Sequence, residues 1–294
     1  MLYQSWPKGP TYWCEEDKLF ISIPFTWNLP TVYARLRQIP VQPISSVLVG
    51  GPAVKLLPGY FKRLDFVREG VDYPGVLQRV NPWATRTTEG CIRDCSFCGI
   101  GQGKIERNFI QYDSWPDLPL ICDNNLLAST SRHFDTVIDR LKKWRSPDFN
   151  QGLDARLLDI YHAQRFAELN RPKIRLSCDN SGCLENWKIA YEILLRGGVR
   201  KSHISTYALI GFDSDPAEAW ARCEHLAKFC VVYPMWFNAL NTLKINQITK
   251  SAAELMWTDK ERIRIMRRFY KAKYGGYHGG LHREGVNYRQ NVDS

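Results

Sequence analysis

Ala84-Thr85-Arg86-Thr87-Thr88-Glu89-Gly90-Cys91-Ile92-Arg93-Asp94-Cys95-Ser96-Phe97-Cys98 runs from a short strand candidate into three cysteines spaced C-x-x-x-C-x-x-C. Ala84–Thr88 opens a repeating series. Further strand candidates are Pro119–Cys122, Asp148–Gly152, Lys173–Cys178, Ser202–Ile210 and Val231–Phe237, with helix candidates at Ser131–Lys143, Ala155–Leu169, Leu184–Arg196 and Pro216–Phe229. Strands alternating with helices predict a parallel sheet with right-handed crossovers. Six such units predict an α/β fold built on a partial (β/α)6 barrel of TIM type, with its chemistry at the C-terminal strand ends. The first crossover departs from the pattern. Residues 99–118 hold Gly99, Gly101, Gly103 and Pro116, which leaves little room for a helix.

Outside the repeat, residues 1–80 read as a small, shortened Rossmann-like α/β unit. Leu19–Ile23 and Ser45–Val49 are strand candidates, Pro30–Arg37 is a helix candidate, and Gly50-Gly51-Pro52 is a turn. Two strands cannot form a stable layer alone, so this unit is expected to pack on the barrel, residues 81–241. Residues 242–294 read as a basic helical C-terminal extension. Thr258 is its N-cap candidate, with Glu261 three residues on.

The chain has 294 residues, 44% of them hydrophobic and 24% charged, which excludes a disordered or collagen-like polypeptide. The longest mostly apolar stretch, Phe229 to Leu240, falls well short of the roughly 20 residues of a membrane span. The N-terminal residues lack a secretory signal pattern, so a cytoplasmic, reducing setting is expected and disulfides are not. The net charge of +10 fits a nucleic-acid partner or an anionic substrate, and equally a general solubility charge.

The nine cysteines would place three in this spacing by chance only about once in a hundred such chains. Three thiolates on a tight loop suit a [4Fe–4S] cluster bound by Cys91, Cys95 and Cys98 with one iron left open. Structural zinc would need a fourth ligand from elsewhere in the fold, and a Cys95/Cys98 redox pair would leave Cys91 unexplained.

The motif, Phe97 before its last cysteine, its place after the first strand and the repeat that follows together resemble the radical S-adenosylmethionine superfamily, over about residues 84–240. The resemblance implies an enzyme whose cluster reductively cleaves S-adenosylmethionine to methionine and a 5′-deoxyadenosyl radical, which then abstracts hydrogen from a substrate. It also implies an electron donor such as flavodoxin or ferredoxin. Within the superfamily the chain resembles the branch with an N-terminal cobalamin-binding-like domain. Only about eighty residues precede the barrel here and they hold no histidine, so cobalamin is not expected.

Residues at the strand ends become candidates for the nucleotide. After the second strand, Asp123 and Asn124 stand where the superfamily often has a glycine-rich turn ending in Glu, though a plain helix-start turn accounts for them as well. After the third, Gln151 is expected to point into the barrel mouth and Arg156 to fork onto a carboxylate, with Asp154 read as a helix cap. Ser177, Asp179 and Asn180 end the fourth strand and resemble the Gly-x-Glu-Ser ending of the branch that holds tRNA methylthiotransferases and cobalamin-dependent members. Gly211 ends the fifth strand, where the superfamily's backbone passes near adenine. Trp236, Phe237 and Asn238 line either the cavity or the core. Cys122 and Cys178 flank the mouth and read as buried and inert. No catalytic residue is assigned.

Residues 259–294 carry nine Lys/Arg against four Asp/Glu. Cations with interleaved Phe269 and Tyr270 suit a nucleic acid or nucleotide substrate, whereas Ile263, Ile265, Met266 and Phe269 suit packing on the barrel. A metal-stapled, non-catalytic nucleic-acid-binding protein and a cobalamin-dependent methyltransferase are the alternatives to a radical enzyme.

Overall fold

The computed structural model describes residues 6–7, 9–38, 46–106 and 108–271. From sequence, the helix that starts after Thr258 is expected to run to Lys273 and stop at Gly275-Gly276; those positions, and the unassigned His278 and His282, lie outside the described residues. Strands Thr11–Glu15 (β1) and Lys18–Ser22 (β2) form an antiparallel hairpin. Helix Leu29–Leu36 (α1) follows, then strand Ser46–Gly50 (β3), helix Pro52–Leu56 (α2) and strand Val67–Glu69 (β4). β2, β3 and β4 are parallel. The N-terminal layer is therefore a four-stranded sheet, wider than the two strands legible in sequence. Leu29, Val32 and Leu36 recur at helical spacing and pack with Ile21, Ile23, Val47, Val49 and Phe61 into a core of their own.

Helix Val76–Val80 (α3) leads to strand Ala84–Thr85 (β5). The ribbon of Thr88–Glu89 (β6) and Ile110–Gln111 (β7) brackets the cysteine loop. Among the described residues 99–118 there is no helix, in line with their glycine content. The alternating series then runs strand Leu120–Ile121 (β8), helix Ser131–Leu141 (α4), strand Asp148–Phe149 (β9), helix Ile160–Ala167 (α5), strand Ile174–Ser177 (β10), helix Leu184–Arg196 (α6), strand Ile204–Ile210 (β11), helix Pro216–Ala227 (α7) and strand Val231–Trp236 (β12). Helices Lys250–Glu254 (α8) and Asp259–Lys271 (α9) close the described chain.

β5, β8 and β9 form one parallel sheet; β10, β11 and β12 form another. Two isolated parallel bridges, Asp148 to Lys173 and Leu153 to Leu176, link β9 to β10. The six strands thus follow one another in chain order with all their C-terminal ends on one side. The observed strands are shorter than the stretches expected from sequence: β5, β9 and β12 lose residues at their C-terminal ends, β11 at its N-terminal end, and β8 and β10 at both.

Local chemistry explains the helix starts. Thr130, Asp215 and Thr249 accept hydrogen bonds from the backbone N–H three residues ahead, and Asp159 does the same with a reciprocal contact from His162. Asp159 is also why the stretch 155–169, read in sequence as one helix, is a 3-10 turn over 155–157 followed by α5. Thr258 Oγ1 accepts from Glu261 N at 3.2 Å, as its sequence context predicts. In α9, Ile265 and Phe269 are buried and Met266 is half-buried, but Ile263 faces solvent. Tyr270 hydroxyl donates to Pro234 carbonyl at 3.1 Å, so α9 lies along β12.

Candidate active site at the parallel strand ends

The cysteine loop is a set of tight turns. Cys98 N donates to Cys95 carbonyl at 3.0 Å and Gln102 N to Cys98 carbonyl at 2.9 Å. Gly101 packs edge-on against the loop, where a Cβ would come within 2.6 Å of Cys95 N. All three thiols are free and half-buried. Among the described residues no three His, Cys, Asp or Glu side chains converge on one point as a single-ion site requires. A cube of four irons spreads its thiolates around a larger body, and the donor set fits that group: three thiols on one turn.

What fixes the loop is its contacts with one strand end after another. Asn125, beyond β8, donates Nδ2 to Cys91 Sγ at 3.4 Å. Arg93 donates Nε to Asp154, beyond β9, at 2.8 Å. Phe97 packs edge-to-face on Phe212, beyond β11, with ring centroids 5.6 Å apart, and Phe212 packs on Phe237, beyond β12, at 4.8 Å. The Asp179 carboxylate, beyond β10, lies close enough to Cys95 to add to burial in pushing that thiol's pKa up.

Glu106 braces the back of the loop, and nothing in the sequence marked it. Its carboxylate takes both arms of Arg86 at 2.7 and 2.9 Å, the backbone N–H of Gly90 at 2.7 Å and the amide of Asn124 at 2.7 Å. Burial pushes its pKa up, but Arg86 and Gly90 outweigh this and hold it below the ordinary glutamate range. A depressed carboxylate stabilises the fold above its unfolded pKa, and that stability is lost as pH falls through the folded value. Glu106→Gln is therefore expected to lower stability by roughly 2 kcal/mol at pH 7, because it leaves the half-buried Arg86 without its charged partner. Chemical unfolding at pH 7 and at pH 3 should show the gap between variant and parent shrink in acid.

Asp123, expected to face the nucleotide, is instead saturated within the protein. One oxygen accepts from Thr87 N at 2.6 Å and Thr88 N at 3.0 Å, and the other from Thr87 Oγ1 at 2.5 Å. It ties β8 to the entry of the cysteine loop. Asn124, engaged by Glu106, is likewise part of the scaffold. Arg156 turns its fork onto Asp154 at 2.7 and 3.1 Å. Asp154 is the cap the sequence suggested and also an ion-pair bridge from Arg156 to Arg93. Gln151 is exposed. Ser177 and Asn180 are half-buried at the end of β10.

Gly211 has φ +82°, and a Cβ there would come within 2.2 Å of the Trp236 ring. Glycine is required, but what its Cβ face meets is an indole. Trp236 is 8% exposed and packs on Trp257, so it belongs to the core more than to a cavity. Asn238 accepts from Asn246 N at 2.7 Å, which fixes the segment after β12. Cys122 and Cys178 are buried with thiol pKa values pushed up to about 12 by desolvation, as inert core thiols.

Asp179 differs from its neighbours, since among the described residues no hydrogen bond reaches its carboxylate. Burial pushes its pKa up to about 6, against the pull of Arg222 and Arg156. A raised carboxylate favours the folded state at low pH and costs stability as pH rises through the interval between its unfolded and folded values. Asp179→Asn is thus expected to melt higher than the parent above pH 6 and to match it near pH 4, a difference that thermal melts across pH would read. A carboxylate perturbed by burial at a strand end is a candidate for a binding role.

No family model and no curated protein matches the sequence. Two solved structures of the radical S-adenosylmethionine methyltransferase TsrM from Kitasatospora setae do match in three dimensions. One, with tryptophan substrate and the SAM analog aza-SAM bound, aligns at TM-score 0.51 and 12% identity over 74% of this chain and 59% of that one. The chain's fold resembles that of a radical S-adenosylmethionine enzyme. The other, with cobalamin and a [4Fe-4S] cluster bound, aligns at TM-score 0.49 and 11% identity over 73% of this chain and 60% of that one. This chain therefore spans less than two thirds of TsrM. Among the described residues no helix is long and apolar enough to cross a membrane.

Proposed function

We propose that the protein is a radical S-adenosylmethionine enzyme whose active site is the mouth of a partial (β/α)6 barrel. The observation that carries this reading is the fastening of a C-x-x-x-C-x-x-C loop to the C-terminal ends of the parallel strands, through Asn125, Asp154 and Phe212. Cys91, Cys95 and Cys98 would hold the [4Fe–4S] cluster. A cluster held there would supply the one electron needed for reductive cleavage of S-adenosylmethionine to methionine and a 5′-deoxyadenosyl radical. Asp179 is the polar group proposed to meet the nucleotide, with Ser177 and Asn180 beside it in the chain, and the Phe97–Phe212 ring pair supplies an apolar contact next to the cysteine loop. Flavodoxin or ferredoxin is the proposed class of electron donor.

A cobalamin-dependent methyltransferase is the alternative within this reading, and a cobalamin absorption spectrum in protein produced with the vitamin supplied would decide for it.

Lys260, Arg267 and Arg268 on α9 are exposed and pair with no described carboxylate, which keeps a phosphate-bearing substrate within the proposal. Anaerobically reconstituted protein, reduced with dithionite in the presence of S-adenosylmethionine, should release 5′-deoxyadenosine. Iron-replete protein that releases none, while binding nucleic acid in a salt-dependent way, would point to the metal-stapled binding protein instead.

A further inference from the structure

We propose that the end of the parallel strands opposite the cysteine loop binds the backbone of a nucleic-acid duplex without regard to sequence. β9, β10, β11 and β12 are parallel neighbours, so the segments that enter them, residues 142–147, 168–173, 196–203 and 226–230, share that end. They carry Arg145, Arg171, Arg196, Arg200, Lys201 and Lys228, all exposed, and none of the six pairs with a described carboxylate. The one acid in these segments, Glu168, is already engaged by Lys142 and Arg165.

Contacts across the segments bring the cations together. Ser146 Oγ donates to Arg171 carbonyl at 3.1 Å and so joins the first segment to the second. Arg200 and Arg171, from different segments, both add to burial in holding the His203 pKa below the ordinary histidine range. Burial pushes the Cys230 thiol up to about 12, and Lys201 beside it pulls the other way, which ties the third segment to the fourth. Like charges gathered in this way repel one another and give the fold no pairing energy, so an outside polyanion is the partner such a row fits. Strands about 4.8 Å apart spread it over roughly 15 Å, the length of about four phosphates along one strand of a duplex. The exposed residues of the four segments include no aromatic or large apolar side chain; Asn170, Gly198 and Ser202 fill the gaps. Nothing there can stack on an unpaired base or enter a bilayer, which favours a duplex, whose bases are already stacked. The row lies away from the thiols, so it goes beyond the activity proposed above and its test needs no iron.

A fluorescein-labelled DNA duplex of mixed sequence, titrated with the full-length apoprotein and followed by anisotropy between about 50 and 200 mM NaCl, tests this. Four neutralised phosphates predict a slope of log K against log[salt] of about −3.6 or steeper, roughly a hundredfold loss over that range. A second duplex of unrelated sequence should bind equally. Arg200→Gln with Lys201→Gln should make the slope shallower by nearly two and weaken binding at the lowest salt about tenfold or more. Arg196→Gln with Lys228→Gln should do the same and serves if the first pair does not fold. Lys62→Gln with Arg63→Gln removes equal charge from exposed positions of the N-terminal unit and should change neither quantity. The proposal is overturned if the Arg200/Lys201 pair leaves slope and affinity as they were, or if the Lys62/Arg63 pair loses as much. Tighter binding to phosphatidylserine vesicles than to the duplex, at equal phosphate concentration, would overturn it in favour of a membrane surface.

Discussion

Alanine at Cys91, Cys95 and Cys98 together is expected to give a folded, colourless protein. The parent, reconstituted without oxygen, should be brown and carry about four irons per chain. The thiols are half-buried and make few internal hydrogen bonds, with Cys91 Sγ accepting from Arg93 N and Asn125 Nδ2, so their loss should disturb the apo fold little. Release of 5′-deoxyadenosine should drop to background, a loss of several orders of magnitude, because no other described group replaces the three donors. Iron analysis, absorbance near 400 nm and a circular dichroism melt read these effects separately. A triple variant that keeps its iron would refute the ligand assignment; one that loses iron but still releases 5′-deoxyadenosine would refute the chemistry.

Arg222→Met should be the most destabilising single substitution near the site. Arg222 lies on α7 and is 2% exposed. It donates to the carbonyls of Cys178 and Leu209, both at 2.8 Å, and pairs with Glu218 at 2.9 and 3.2 Å. One guanidinium thus closes the ends of β10 and β11 and keeps Asp179 and Gly211 in place. Methionine preserves much of the volume but takes the guanidinium from two buried carbonyls and removes the cation paired with Glu218, which keeps only the Ser181 hydroxyl among the donors named, at a cost of about 3–5 kcal/mol. Urea unfolding would measure it. A loss below about 1 kcal/mol would mean that water reaches those carbonyls. The double variant with Glu218→Gln should lose less than the sum of the two single changes, because the pair shares one network.

How legible this architecture was depends on which residues carry it. β10, β11 and β12 announce themselves through runs such as Ile204–Ile210, whose inner face is closed by Ile204, Ala208 and Ile210. β1 escaped because it is an edge strand with Tyr12 and Cys14 exposed, so its alternation holds no apolar run. β4 escaped because three residues are too few to show a period. At the site, the spacing singled out the cysteine loop, and the structure fastens that loop to the strand ends. Arg222 left a readable signal, a cation between Ala219 and Cys223 on the apolar face of α7. Glu106 left none, since its partners Arg86, Gly90 and Asn124 come together only when the strands do. Asp123 misled for the opposite reason: a carboxylate at a strand end looks the same in sequence whether it meets a ligand or a neighbouring threonine.

The fastening of the cysteine loop also limits its portability. The octapeptide from Cys91 to Cys98, cut out or grafted elsewhere, would keep its three sulfurs but leave behind Asn125, Asp154 and Phe212, which come from three other turns of the chain. Those anchors settle the loop's shape before any metal arrives, so the intact chain spends less binding energy on ordering than a short peptide must. Short mimics of the motif should therefore trail the whole protein in iron affinity, however faithfully they copy its letters.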